Sequence, residues 1–562
     1  MNGAVLLVAV SVCFLLGYRF FAKWLEGKLG VDPAKPTPAV VKNDGCDYVP
    51  AHPTVLFGHH FAAIAGAGPI VGPVLAAEFG WVPVICWILF GCIFIGAAHD
   101  MIAMYLSVRH EGQSIGAVIG TILGKPGKVM FLLFSWSALV LVVAEFNRQI
   151  AGTFVADPAI ATASLLFIAE AVLFGFCVYR WKMSVLVASL IFVPVMFAFV
   201  WVGNAFPLDL VKMFGCSPDV VRMIWTLVLI AYCFVASTCP VQFLLQPRDY
   251  LNAYLLYVMM LFGFLGVFIA HPTLHIDAFA GFSAVGRTGT DLLFPFLFIT
   301  VACGACSGFH ALVASGTSSK QVSSEKSIRP IAYGGMLLEG VLATIGLIGV
   351  AGTYMSQQDY VTAIQGMEPV QMFASTIGGF CVKLFTSVGM DPEFGKRMAE
   401  SFILLSVSAF LMTSVDAGTR LARFSWQELI GAPTAGSSFA KKGAHNMYVG
   451  TFIVCALSAG LLLGNPVVAK QLWTLFGGAN QLLASLTLLT ATLWLIRNKK
   501  PGWVTAVPMV LMFSVSTWAL AKIFIAAVQK GEVIRLVSAG FLLSLAVALV
   551  VITFAKGRKA VS

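Results

Sequence analysis

Charge is what this sequence has least of. Only 11% of its 562 residues are charged, 35 Lys and Arg against 25 Asp and Glu, where a soluble domain carries about 25%. So few charges cannot cover a soluble protein of this length. Other absences narrow the class further. There is no Walker A sequence, no nucleophile elbow and no His-Glu-x-x-His helix, so ATP-driven transport by this chain is disfavoured and no enzyme is expected. No strand-and-turn array exists from which to build a β-barrel. The first apolar stretch has no basic region ahead of it; Arg19 and Lys23 follow instead, which reads as a retained helix and not a signal peptide. The net charge of +10 is spread over short connections, such as Arg497, Lys499 and Lys500, so no nucleic-acid partner is implied. Most of the 12 cysteines lie inside apolar runs (Cys13, Cys86, Cys92, Cys177, Cys233, Cys455), where cysteine acts as a small hydrophobe and no disulfide framework is implied.

What is present is apolar: 59% of the residues. A membrane-spanning helix needs about 20 such residues in a row. Sixteen segments approach that length: 3–21, 55–78, 81–106, 128–156, 160–179, 184–203, 222–245, 251–271, 292–316, 331–355, 368–388, 397–424, 447–464, 467–496, 503–527 and 533–555. The chain is therefore an all-α polytopic membrane protein, its partners the lipid bilayer and a small-molecule substrate. Lys and Arg alternate between connections, with Lys28, Lys35 and Lys42, then Arg109, Lys125 and Lys128, then Arg180 and Lys182, then Arg248, then Lys320, Lys326 and Arg329 on one side. The positive-inside rule puts these in the cytoplasm and the N-terminus outside. The later clusters at Arg423, Lys441, Lys442 and Arg497–Lys500 keep the rhythm only if one segment does not cross. The weakest is 368–388, with Lys383 and several Ser, Thr and Gly. Fifteen crossings follow, with 368–388 re-entrant or interfacial and the C-terminus inside.

Internal similarity suggests a repeat. Ala65-Gly-Ala-Gly-Pro69 aligns with Ala236-Ser-Thr-Cys-Pro240, and Glu170-Ala-Val-Leu173 with Glu339-Gly-Val-Leu342. The nearly shared offset divides the chain into a peripheral N-terminal helix and loop (1–54), a five-helix unit (55–203), a second unit (204–424) and four peripheral C-terminal helices (425–562). A unit of five crossings inverts its successor, which is the LeuT-like 5+5 arrangement, with sites at helix breaks near the midplane. Gly66, Ala67, Gly68 and Pro69 would form one break and Ser237, Thr238, Cys239 and Pro240 the other, with Gln242 just beyond; Gly68 and Cys239 should face each other. Close packing by small residues is the alternative reading.

Ionisable residues inside spans mark function by default. Glu145 and Arg148 lie three apart on one helix face. Arg148 could attract an anionic substrate, or the two could form a self-neutralised structural pair. Glu170 and Glu339 are structural or coupling carboxylates. His59, His60, His99 and Asp100 suit a proton relay, since imidazole titrates near neutrality; polar packing is the alternative. Cys303-Gly-Ala-Cys306 with His310 reads as small packing residues, or else as a metal or redox motif. Ser307 could ligate a cation, which keeps sodium open beside the proton. No cofactor or resident metal is expected.

The stretch from Asp47-Tyr-Val-Pro50 and His52-Pro53 through Val55-Leu-Phe-Gly-His-His-Phe-Ala-Ala-Ile-Ala-Gly-Ala-Gly-Pro69 to Val71-Gly-Pro-Val-Leu-Ala-Ala77 resembles the carbon starvation protein CstA family. Ser414-Val-Asp-Ala-Gly-Thr-Arg-Leu-Ala-Arg-Phe424 looks like that family's C-terminal module, so the resemblance spans nearly the whole chain. It implies a cytoplasmic-membrane transporter related to the amino acid–polyamine–organocation superfamily, importing peptides or pyruvate in nutrient-limited bacteria. The reading is a proton-coupled secondary importer of peptides. A pyruvate or small-carboxylate symporter and a nutrient sensor on a transporter fold are the alternatives.

Overall fold

The computed structural model describes residues 1–44, 48–240, 244–285, 290–387, 389–431, 439–463 and 471–561. Among them, twelve helices are long and apolar enough to cross a membrane, or thirteen if one bent pair counts as a span. In chain order the helices used below are α1 (Gly3–Leu29), the bent pair α2 (Pro53–Ile64) and α3 (Gly68–Phe79), α4 (Trp81–Arg109), α5 (Ile115–Ala156), α6 (Pro158–Tyr179), α7 (Val185–Phe214), α8 (Pro218–Thr238) and α9 (Leu245–Ala270). There follow α10 (Leu293–Thr300), α11 (Gly308–Gly316), α12 (Glu325–Thr353), α13 (Gln357–Gly366), α14 (Pro369–Ser387), α15 (Pro392–Ile430), α16 (Met447–Leu463), α17 (Leu472–Arg497), α18 (Trp503–Lys530) and α19 (Val533–Thr553). A small antiparallel hairpin, β1 (Ser283–Val285) with β2 (Thr290–Leu292), precedes α10.

Local sequence explains most helix starts. Ser114, Asp157, Ser184 and Ser217 each accept a first-turn backbone N–H, and Pro158 and Pro218 follow two of them, as N-caps and first-turn prolines do. The arm of α5 before residue 128 is set off by Gly124, whose φ of +69° suits only glycine.

Two ends of the bundle are recognisable. At one, the basic connections gather: Arg109 pairs with Glu325 at 2.8 Å, Arg329 with Glu26 at 2.8 Å and Lys128 with Glu428 at 2.7 Å, while Arg497 donates to the Ile122 carbonyl at 3.0 Å. At the other, Gly3 N–H donates to the Pro272 carbonyl at 2.7 Å, Ala280 N–H to Phe79 O at 3.1 Å, and the Gln357 amide to Glu78 O at 3.1 Å.

Two expected spans take other forms: segment 292–316 is split into α10 and α11, and 447–464 is the short α16. Segment 368–388, expected not to cross, is α14, which is not among the helices apolar enough to span. The repeat partner expected at 236–240 is corrected: α8 runs unbroken to Thr238, Cys239 is its C-cap, and Ala236–Pro240 closes a full-length helix instead of interrupting one. In addition, α17, expected at the periphery, is buried for most of its length, together with α5, α12 and α15.

Candidate functional site

The first break is where the sequence puts it. Ala65 leaves helical geometry (φ −74°, ψ 60°), and Pro69 restarts the helix within the first turn of α3, at a bend of 46° between the halves. Proline tolerates that position because the N–H it lacks would have no partner there. Ala67 is buried. The segment opposite is not 237–240. A Cβ on Gly68 would lie 2.1 Å from Cys303 Cβ, and one on Gly72 2.6 Å from the Thr300 carbonyl. The first break therefore packs against a second one, residues 301–307 between α10 and α11. A Cβ on Gly66 would meet Ser414 Oγ at 2.8 Å and Phe146 at 3.3 Å. A cavity of about 10 Å³ remains among Gly66, Gly68, Cys303, Phe146 and Ser414, space for about one water. Ser414 Oγ is buried there without a hydrogen-bond partner among the described residues.

The second break is held open from outside itself. Helix ends leave their last carbonyls and first N–H groups unpaired, and α17 pairs several of them. Trp473 Nε1 donates to Thr300 O at 3.2 Å and Gln481 Nε2 to Phe298 O at 2.6 Å. Asn480 Oδ1 accepts from Phe309 N–H at 2.8 Å, while its Nδ2 donates to Ser307 Oγ at 3.0 Å and Cys303 Sγ at 3.2 Å. Ser307, the N-cap residue of α11, makes no capping bond of its own; Asn480 caps in its stead. Sequence reasoning missed Asn480 and Gln481, although two amides in the middle of an apolar helix were a visible signal.

Beside this break, four ionisable side chains lie in a row: hydrogen bonds join the first three, and the last link, His310 to Glu339, is an ion contact without a hydrogen bond among the described residues. His99 Nδ1 lies 2.7 Å from Asp100 Oδ1, His310 Nδ1 lies 2.8 Å from Asp100 Oδ2, and His310 Nε2 is 3.3 Å from Glu339 Oε2. All four are fully buried. Asp100 comes from α4, Glu339 from α12, and His310 from the first turn of α11. A carboxylate between two imidazoles, with a second carboxylate at one end, can pass or hold a proton. His310 and Glu339 were read separately in sequence and belong here. His60 bonds Ser318 Oγ at 2.8 Å, and His59 is half-buried on another face of α2, so neither is hydrogen-bonded into the chain. Cys303 and His310 have the different partners just given, and among the described residues no three His, Cys, Asp or Glu converge as a metal site would require.

Glu145 and Arg148 do meet. The pair is bidentate, with Arg148 Nη2 to Oε1 at 2.8 Å and Nε to Oε2 at 3.0 Å, and Gln149 donates to the same carboxylate at 2.8 Å. Glu368 adds a second acid to Arg148 at 3.4 Å; lying in the short α13–α14 connection, it gave no sequence signal. Ser237 Oγ bonds Thr451 at 3.3 Å, Arg420 donates to the Ala236 and Cys239 carbonyls at 3.0 and 2.6 Å, and Thr238 bonds back to its own helix. Pro240 lies just beyond, and Gln242 falls outside the described residues. Among the described residues, both oxygens of Glu170 are buried without hydrogen-bond partners. A further charged cluster ties Arg248 of α9 to Asp416 of α15 at 2.5 Å, with Tyr232 donating to Asp416 at 2.9 Å.

Comparison with known proteins agrees with this membrane architecture. The family model described as carbon starvation protein CstA matches residues 2–365 and 353–519. The chain is 33% identical to the peptide transporter CstA of Escherichia coli (strain K12), over 94% of this chain and 81% of that protein. It is also 33% identical to the pyruvate/proton symporter BtsT of the same organism, over 92% and 81%, and 32% identical to the peptide transporter CstA of Bacillus subtilis (strain 168), over 86% and 84%. Among solved structures it is similar to MhsT in complex with L-phenylalanine, with a TM-score of 0.47 and 13% identity over 83% of this chain and 99% of that one. The chain belongs to the carbon starvation protein CstA family and is a multi-pass membrane transporter.

Proposed function

We propose that the chain is a secondary active importer of peptides in the cytoplasmic membrane of carbon-starved bacteria, coupled to protons through His99, Asp100, His310 and Glu339. The observation that carries the coupling is the fully buried His99–Asp100–His310–Glu339 chain, which begins one turn from the second break. Any rearrangement of α11 at that break moves His310 between its two carboxylates, so proton occupancy and the state of the break are linked. The sodium alternative is weaker at Ser307, whose hydroxyl already accepts from Asn480. The substrate would sit where the two breaks meet, at Gly66–Pro69 and 301–307. Pyruvate is the second reading, favoured by the name of the symporter to which the chain is 33% identical.

The same reading includes fifteen crossings with the N-terminus outside and α14 not crossing. Support comes from the gathering of the basic connections at one end of the bundle and of 79–81, 272–280 and 357 at the other. It also includes two inverted five-helix units, in a changed register. The first is α2–α3 to α7; the second begins at α10–α11 and continues through α12, α15, α16 and α17, with α8 and α9 between the units. Six crossings lie between the two broken helices, an even number, which inverts the second relative to the first. In this register Asp100 and Glu339 lie on the second helix of their units, and both meet His310.

Uptake of labelled dipeptides and pyruvate by proteoliposomes under imposed proton or sodium gradients is the test. An inward proton gradient should drive accumulation of a dipeptide. Accumulation driven by sodium alone would overturn the coupling, and no accumulation of either substrate under either gradient would overturn the transport reading.

A further inference from the structure

We propose that Arg148 and Arg222 form a seat for the carboxylate of the transported molecule, occupied in this state by Glu368 as an internal stand-in. The inference rests on the import reading above and names the group by which substrate is first caught. It starts from an inequality between the two acids on Arg148. Glu145 is bidentate at 2.8 and 3.0 Å, fixed one turn away on the same helix and tied further by Gln149. Glu368 comes from a different element, the connection between α13 and α14, and each of its oxygens faces a different guanidinium. Oε2 is 3.4 Å from Arg148 Nη1, and Oε1 is 3.8 Å from Arg222 Nη1. Charge-assisted hydrogen bonds close to about 2.7–2.9 Å, so both arginines hold this carboxylate at longer range than Arg148 holds Glu145.

Arg222 adds an independent sign. Its Nε is buried and, among the described residues, has no hydrogen-bond partner, a donor an incoming carboxylate could satisfy. Space exists beside the seat as well: a Cβ at Gly152 would find only Glu368 Cγ, at 3.9 Å. Arg148 shares α5 with Phe146, which lines the cavity at the first break, but two residues apart the two side chains leave the helix on different faces. Exchange is isoelectric. Two arginines face Glu145 and Glu368, and a substrate carboxylate replacing Glu368 leaves that balance unchanged, avoiding the penalty of stranding a buried charge. Peptides and pyruvate share little else, but each has one carboxylate.

The test is binding by the purified full chain of whichever of pyruvate or dialanine the wild type takes up. Carboxyl-amidated dialanine and melting temperatures are measured in parallel. Glu368→Gln removes the competitor and should tighten binding about tenfold. Arg222→Gln should weaken it about tenfold, with the amide unaffected by either change. Arg222 is chosen because Arg148→Gln would strand buried Glu145. Unchanged or weaker binding in a folded Glu368→Gln protein overturns the proposal, as does an Arg222→Gln protein that loses acid and amide alike. If Glu368→Gln fails to fold, Arg222→Gln decides alone. Wild-type protein that transports neither compound defeats the import reading instead, before any variant is compared.

Discussion

At the scale of single residues, Asp100 and Gly68 are the positions where one atom matters most. Asp100 accepts from two buried imidazoles, and Asp100→Asn turns one acceptor oxygen into a donor facing a ring N–H. An unsatisfied buried polar group costs about 1–3 kcal/mol, so the melting temperature should fall measurably and proton-driven uptake should be lost. His310→Gln and Glu339→Gln should lose the proton dependence with a smaller drop in melting temperature. Uptake with unchanged pH dependence in all three would assign the chain of groups to packing alone. Gly68 has no room for a methyl group against Cys303. Gly68→Ala should destabilise by about 1–3 kcal/mol, as overpacking does, and reduce uptake, whereas adding Cys303→Gly should restore both. Without that rescue, the two breaks would not be in contact.

At the scale of elements, the two breaks differ in kind. The first is written locally, as two glycines and a proline between α2 and α3. The second, Val301-Ala-Cys-Gly-Ala-Cys-Ser307, contains no proline and depends on α17 for its hydrogen bonds. Asn480→Ala removes the partners of Phe309 N–H, Ser307 and Cys303 together. Stability should fall by about 1–3 kcal/mol, and amide exchange should rise in 301–311 before it rises in 64–69. Equal exchange in both segments would mean that α17 does not hold the second break. This difference is also why the sequence match of 65–69 to 236–240 misled. Small residues before a proline serve equally to break a helix and to end one, and α8 ends.

At the scale of the whole molecule, the proposed crossing pattern is open to labelling. A cysteine introduced within 359–367 should react with an impermeant reagent from outside, and one within 436–442 only from inside. Reaction of both from one face would remove α14's exemption from crossing and, with it, the fifteen-crossing count. The long packing of α5 against α15, and of α12 against α3 and α14, makes the centre of the bundle the least tolerant of change, whereas α7 and α19 are the most exposed.

The sequence by itself determined the membrane class, most of the helical spans, the first break and the buried pair Glu145–Arg148, because each follows from composition or from neighbours within one helical turn. The family, too, was legible in the stretch around the first break. Tertiary structure alone decided that Cys303 and not Cys239 faces Gly68, that His310 joins Asp100 to Glu339, and that Glu368 reaches two arginines. Apart from His310 and Glu339, these contacts join residues about 150 to 240 positions apart, and a buried polar atom takes its partner from whichever helix packing brings near, which no local spacing records.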